Sequence, residues 1–314
     1  MPVPRNKITE DARHKPNHIK LILLEPEVLS SALPAASLIL ASGLMFYALV
    51  AALLQRKILP RISSTMYAGL SERHRITFTC HLIAAPSFII IAACGLYPVF
   101  SFLAGSGLLS THVGGGRLTI GDVLFVLAQL YSGYYLFELV FRGRFISAIS
   151  LAHHVGLLIV TQYAIYQEAA LSKHGRATHY FYLCMVWGAF DVCSEVVIHV
   201  LMIVWRLKRE SPKTCYHIAA FCAGWTVVLA LAEVGVTIWL FNKSWDIWDI
   251  VWKWITPIVF TLWIITQFYG ACIYITMFKT ERKALSRRPP RRDQPDHPNP
   301  ANLPQPDSST YNKR

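Results

Sequence analysis

Seven stretches of the chain are almost continuously apolar, over about residues 31 to 54, 76 to 100, 120 to 141, 147 to 167, 178 to 205, 214 to 241 and 253 to 279. At about 1.5 Å per residue, each is long enough as a helix to cross a hydrocarbon core of roughly 30 Å. The pattern therefore predicts an all-α integral membrane protein with about seven transmembrane helices. The fifth stretch contains Asp191 and Glu195, but its length and the basic run after it predict one long helix.

The polar positions divide the rest. Residues 1–30 form a polar N-terminal segment, and 31–69 hold the first transmembrane helix and a cytosolic loop. Residues 70–279 form a six-helix membrane domain, and 280–314 a basic, Pro-rich cytosolic tail that cannot bury a core and is expected to be disordered. The polar N-terminus is too long and mixed for the start of a cleaved secretory signal, so the first helix is expected to act as an uncleaved anchor.

Composition agrees with the pattern. With 54% hydrophobic and 15% charged residues and a mean hydropathy of +0.39, the chain has too few polar groups for a water-facing surface. Its formal net charge of +12 does not indicate a nucleic-acid partner, because the basic residues sit in short loops and one tail with no aromatic platform between them. They read as topology markers and contacts for anionic membrane lipids. The seven cysteines lie in or beside apolar segments with no CxxC pair, which argues against a disulfide framework or a zinc finger.

Loop charge sets the orientation. With the tail in the cytosol, Arg56, Lys57, Arg61, Arg73, Arg75, Arg142, Arg144, Arg206, Lys208, Arg209 and Lys213 fall inside. Only Arg117, Lys173, Arg176, Lys243 and Lys253 fall outside. The C-terminus is thus expected in the cytosol and the N-terminus in the lumen, with the sequon Asn242-Lys243-Ser244 in a lumenal loop.

Ionisable side chains inside membrane helices are costly, so each is a candidate for function. Those here are His81, Glu138, the adjacent pair His153 and His154, and Asp191, Glu195 and His199 at i, i+4, i+8 along one helix face. All are expected toward the cytosolic side. A lone His81 or His199 reads as a packing and hydrogen-bonding residue, whereas two imidazoles at mid-helix with carboxylates at similar depth read as functional. Glu233 reads as structural, near the lumenal end of the sixth helix. The run Trp245, Trp248, Trp252 and Trp254 reads as an interfacial belt.

The stretch YYLFELVFRGRFISAISLAHHVGLLIVTQYAIYQ, residues 134–167, resembles the TLC (TRAM-LAG1-CLN8) domain, in which a Tyr-Tyr-x-x-Glu-Leu helix precedes one bearing paired histidines. The resemblance extends to DVCSE, with Asp191 and Glu195, and to RHRITFTCH near residue 73. It covers roughly residues 70–279. It implies six helices around a cavity, preceded by one extra helix, and residence in the endoplasmic reticulum. In the ceramide synthase branch it implies acyl-CoA as co-substrate, a sphingoid base as acceptor, no bound cofactor and no metal. His153 and His154 would then serve as nucleophile and base, with Asp191 and Glu195 orienting them or the amine.

The chain departs from the synthase pattern at Leu157, where a Thr is expected, and at Trp187-Gly188, where His-Asp is expected. The alternative is a TLC-fold protein that regulates or carries lipids without chemistry. A seven-helix zinc amidohydrolase is a minor reading, since the last helix lacks His. A haem held by His81 and His199 and a membrane terpene cyclase with Asp191 as proton donor are others.

Overall fold

The computed structural model describes residues 29–62, 64–170, 175–248 and 250–287. The expectations for the N-terminal segment before residue 29 and for the tail after residue 287 lie outside these residues. The fold is all-α, with seven helices long and apolar enough to cross a membrane. They are α1 (Leu33–Ile62), α2 (Glu72–Leu103), α3 (Ile120–Arg142), α4 (Ala148–Ala170), α5 (Gly175–Leu207), α6 (Pro212–Ser244) and α7 (Ile250–Ser286). The chain is an integral membrane protein. As expected, Asp191 and Glu195 do not interrupt α5. Helix α7 continues to Ser286, so 280–286, assigned to the tail from composition, are helical.

Helix ends follow local chemistry. Thr119 caps α3 in a reciprocal box with Asp122, whose carboxylate also accepts from the Ser30 hydroxyl at 2.6 Å and so ties the start of α1 to α3. Pro212 opens α6, where its missing N–H costs nothing. Pro86 and Pro98 lie inside α2, and the Ser87 hydroxyl donates to the Ile83 carbonyl at 2.7 Å beside the first of them. In α1 the five residues Leu54–Ile58 form a π-helical turn, which re-aims the last part of the helix.

Packing places six helices in a ring, in the order α2, α3, α4, α7, α6, α5, with α4 and α5 also touching across it. Helix α1 lies outside, mainly against α3. Close approach at the opposite end from the site depends on Gly121, where an added Cβ would stand 1.8 Å from the Leu29 carbonyl oxygen. Up-and-down connection brings the ends of α1, α3, α5 and α7 to one side of the bundle with Arg56, Lys57, Arg61, Arg73, Arg75, Arg142, Arg144, Arg206, Lys208 and Arg209, the basic end below.

The seven cysteines are free thiols. The tryptophan run does not form a uniform belt. Trp245 and Trp254 are exposed, but Trp248 and Trp252 turn inward to line a cavity with Tyr163, Tyr180 and Trp187. Of the sequon, Ser244 closes helix α6 with its hydroxyl buried between the Leu240 carbonyl and the Trp248 indole.

Candidate functional site

Apolar helices force their few polar side chains to find partners inside the bundle. Three of the polar groups that result lie toward the basic end. The first is centred on Asp191 of α5. Its Oδ2 accepts from the hydroxyls of Tyr131 and Tyr135 of α3, at 2.6 and 2.7 Å. Its Oδ1 stands 4.0 Å from Nε2 of His153 on α4. The Nδ1 of His153 lies 2.8 Å from Oγ1 of Thr266 on α7. That hydroxyl also lies 2.7 Å from the Trp263 carbonyl, and when it donates there it accepts from the imidazole. In that arrangement a neutral His153 carries its proton on Nδ1, and Nε2 presents a lone pair toward Asp191. The ring is also braced by the Trp263 indole, with centroids 4.6 Å apart.

The second group belongs to His154. Neighbouring positions on a helix point about 100° apart, so His154 faces α3, not α5. Its Nε2 lies 3.8 Å from Glu138, which pairs with Arg142 one turn further on. Its Nδ1, like the Tyr134 hydroxyl, is buried without a hydrogen-bond partner among the described residues. The third group joins α5 to α2. Glu195 accepts from Nε2 of His199 at 2.8 Å, and Nδ1 of His199 meets Nδ1 of His81 at 2.7 Å. The Phe88 ring stacks on His199, 5.7 Å away and 9° from parallel.

The four residues singled out in the sequence thus fall into three groups. His153 and Asp191 are brought together as expected. His154 pairs with Glu138, and Glu195 orients His199 rather than the histidine pair. Glu233 is buried within the bundle and held by Gln267 of α7. Tyr131, Tyr135 and Thr266 were missed. The tyrosines had a signal, since Tyr131, Tyr135, Glu138 and Arg142 form one stripe at i, i+4, i+7 and i+11. Thr266, a single hydroxyl in an apolar helix, had none.

Two apolar cavities flank α5 and share Cys184 as a wall. The first, of about 130 Å³, lies between α2, α3 and α5 and runs from Tyr131 and Val192 toward Phe100 and Leu124, away from the basic end. The second, of about 180 Å³, lies between α4, α5 and α7 and is lined by aromatic and aliphatic side chains. Tyr131 connects site and slot: its hydroxyl binds Asp191 while its side chain closes the first cavity. None of His153, His154, Asp191 and Glu195 itself lines either cavity.

Among the described residues no three His, Cys, Asp or Glu side chains gather as a metal-holding group. The 2.7 Å between the His81 and His199 nitrogens is shorter than two imidazoles can approach while sharing one ion, since metal–nitrogen bonds of about 2 Å hold such donors more than about 3 Å apart. The His81–His199 geometry is that of a hydrogen bond. Comparison of the chain with family models, with curated proteins and with solved structures gives no match.

Proposed function

We propose that this protein is a TLC-type membrane enzyme that moves an acyl chain from acyl-CoA to a lipid amine of the sphingoid base kind. The observation that carries the reading is the gap between the free Nε2 of His153 and Oδ1 of Asp191, 4.0 Å across. A nitrogen placed about 2.8 Å from both atoms would see them about 90° apart, near the angle between two N–H bonds of an amine. An amine can donate to both at once. A hydroxyl, with one proton, can donate to only one.

In this reading Asp191, held by two tyrosines, positions the amine, and His153 acts as general base. The neutral amine attacks the thioester carbonyl carbon as its proton moves to Nε2. The C–S bond then breaks, and the same proton passes from Nε2 to the departing sulfur. The acyl chain lies in the apolar slot beyond Tyr131, where burial contributes about 0.8 kcal/mol per CH₂. The unpartnered Nδ1 of His154 and hydroxyl of Tyr134 are polar contacts left for substrate or water. The ring of six helices with one helix outside it supports the TLC resemblance. The bias of Lys and Arg supports a cytosolic tail and cytosolic entry for acyl-CoA, and the TLC resemblance supports residence in the endoplasmic reticulum.

Purified protein supplied with acyl-CoA and a sphingoid base is expected to release CoA and form the amide, and His153→Ala to abolish both. Release by wild type and His153→Ala alike, or by neither, refutes the proposed base. A second reading, lipid binding without chemistry, is favoured by one observation, that none of the four polar residues lines an apolar cavity. Stoichiometric retention of the acyl lipid with no turnover would select it. Orientation is checked separately by protease protection on sealed microsomes, where a C-terminal tag should be removed from outside and an N-terminal one spared.

A further inference from the structure

A third cavity lies at the basic end, outside the ring, where the π-helical turn of α1 faces the first turns of α2. It measures about 550 Å³ and is lined by Gln55, Arg56, Pro60, Tyr67, Glu72 and Arg75, among others. That volume falls in the range of about 300–1,000 Å³ typical of small-ligand sites. Unlike the two slots beside α5, its wall carries charge.

The arginines in that wall differ in how they are held. The Nε of Arg75 donates to the Leu70 carbonyl at 2.8 Å, and its guanidinium carbon sits 5.7 Å above the Tyr67 ring. These contacts fix the plane of the group and leave its two terminal amino groups without partners among the described residues. A guanidinium held in this way presents the fork that binds a phosphate through two oxygens. Arg56 carries no hydrogen bond or ion pair among the described residues. The one acid in the wall, Glu72, is already paired with Arg144. Net positive charge therefore remains in the cavity.

The scaffold around it is built. Gln55 donates to Thr79 at 3.3 Å, and Thr79, fully buried, donates to the Arg75 carbonyl at 2.9 Å. The π-helical turn holds Gln55 on α2 while its neighbour Arg56 lines the cavity. Such turns cost hydrogen-bond geometry and recur at functional sites. We infer that this cavity binds a phosphate group, carried either by an anionic membrane lipid or by a soluble nucleotide such as the acyl donor's own. The site lies between α1 and α2 and does not depend on whether the His153 site performs acyl transfer.

The test uses the full-length protein in detergent with dioleoyl phosphatidic acid or dioleoyl phosphatidylcholine added, and counts bound lipid by native mass spectrometry. One phosphatidic acid is expected to stay bound at concentrations where phosphatidylcholine does not. Arg56→Gln should weaken its retention at least tenfold, and since Arg56 makes no internal contact, this variant should fold as the wild type does. Arg56→Gln/Arg75→Gln should abolish retention. Lys57→Gln/Arg61→Gln removes the same charge at the same end but outside the cavity wall, and should change retention by no more than twofold. Adenosine 3′,5′-bisphosphate displaces the lipid if the nucleotide is the natural ligand and leaves it bound if the lipid is. Equal loss in the two double variants, or equal retention of the two lipids, overturns the inference.

Discussion

Removing the hydroxyls that hold Asp191 tests the centre of the site without touching His153. Tyr131 and Tyr135 both donate to the same oxygen of a carboxylate that is 5% exposed, so no water replaces a lost hydroxyl. Hydrogen bonds to charged groups in water-soluble proteins contribute about 1.5–3 kcal/mol. Side-chain bonds between membrane helices average about 0.6 and reach about 1.7 kcal/mol, because the unfolded helices find other partners in the bilayer. The second scale applies, and near its upper end, because two donors converge on one oxygen. Tyr131→Phe and Tyr135→Phe should each cost about 1.5 kcal/mol, roughly a tenfold change in the unfolding equilibrium. The assay is reversible unfolding in mixed micelles by SDS titration, followed by tryptophan fluorescence. In an Asp191→Leu background the acceptor is gone, and the cost of either Phe substitution should fall to a few tenths of a kcal/mol, within the error of additivity. If the cost persists there, the hydroxyls do not act through Asp191 and the site as described is wrong.

Other consequences can be checked with fewer variants. Thr266→Val frees the His153 tautomer and should slow the proposed acyl transfer about 10- to 100-fold, as losses of an orienting partner do, with little change in stability in the same SDS titration. Gly121→Ala forces a methyl group into the Leu29 carbonyl and should destabilise by about 1–3 kcal/mol. Gly188→Ala, with open space at its Cβ, should be nearly silent. A larger side chain at that position, Gly188→Leu, shortens the first slot and should shift binding toward shorter acyl chains, by about fourfold per CH₂ excluded, as measured by competition between chain lengths. A preference unchanged by Gly188→Leu would remove that cavity from the account.

The helices were legible because the bilayer leaves the backbone no alternative: about twenty apolar residues in a row must bond internally, whatever their order. Boundaries were less so, since the start of the tail has helix-forming residues such as Ala284 and Leu285 that extend α7 past the membrane-length pattern. Within the site, cost marked His153, Asp191, Glu195 and His199, and the TLC resemblance marked the first three. Cost does not say which group pairs with which. The TLC resemblance joins Glu195 with Asp191 to the histidine pair, yet one helical turn carries Glu195 far enough along α5 to meet His199 instead. The role of Glu138 for His154 follows from a crossing of α3 and α4 that no local pattern encodes. The inward turn of Trp248 and Trp252 depends likewise on where α4 and α5 lie, and composition could assign them only to the interface.

The contact between His81 and His199 has a direction. Two facing nitrogens 2.7 Å apart have room for a single hydrogen. When Glu195 accepts from Nε2 of a neutral His199, the other nitrogen of that ring has only a lone pair to offer. His81 must then supply the hydrogen from Nδ1, which leaves its own Nε2 bare. One carboxylate on α5 thereby dictates the tautomer of a histidine on a different helix, through an intermediary ring. Replacing Glu195 by a group that donates would reverse each arrow in the row, and the outermost nitrogen of His81 would change from acceptor to donor with no residue near it altered.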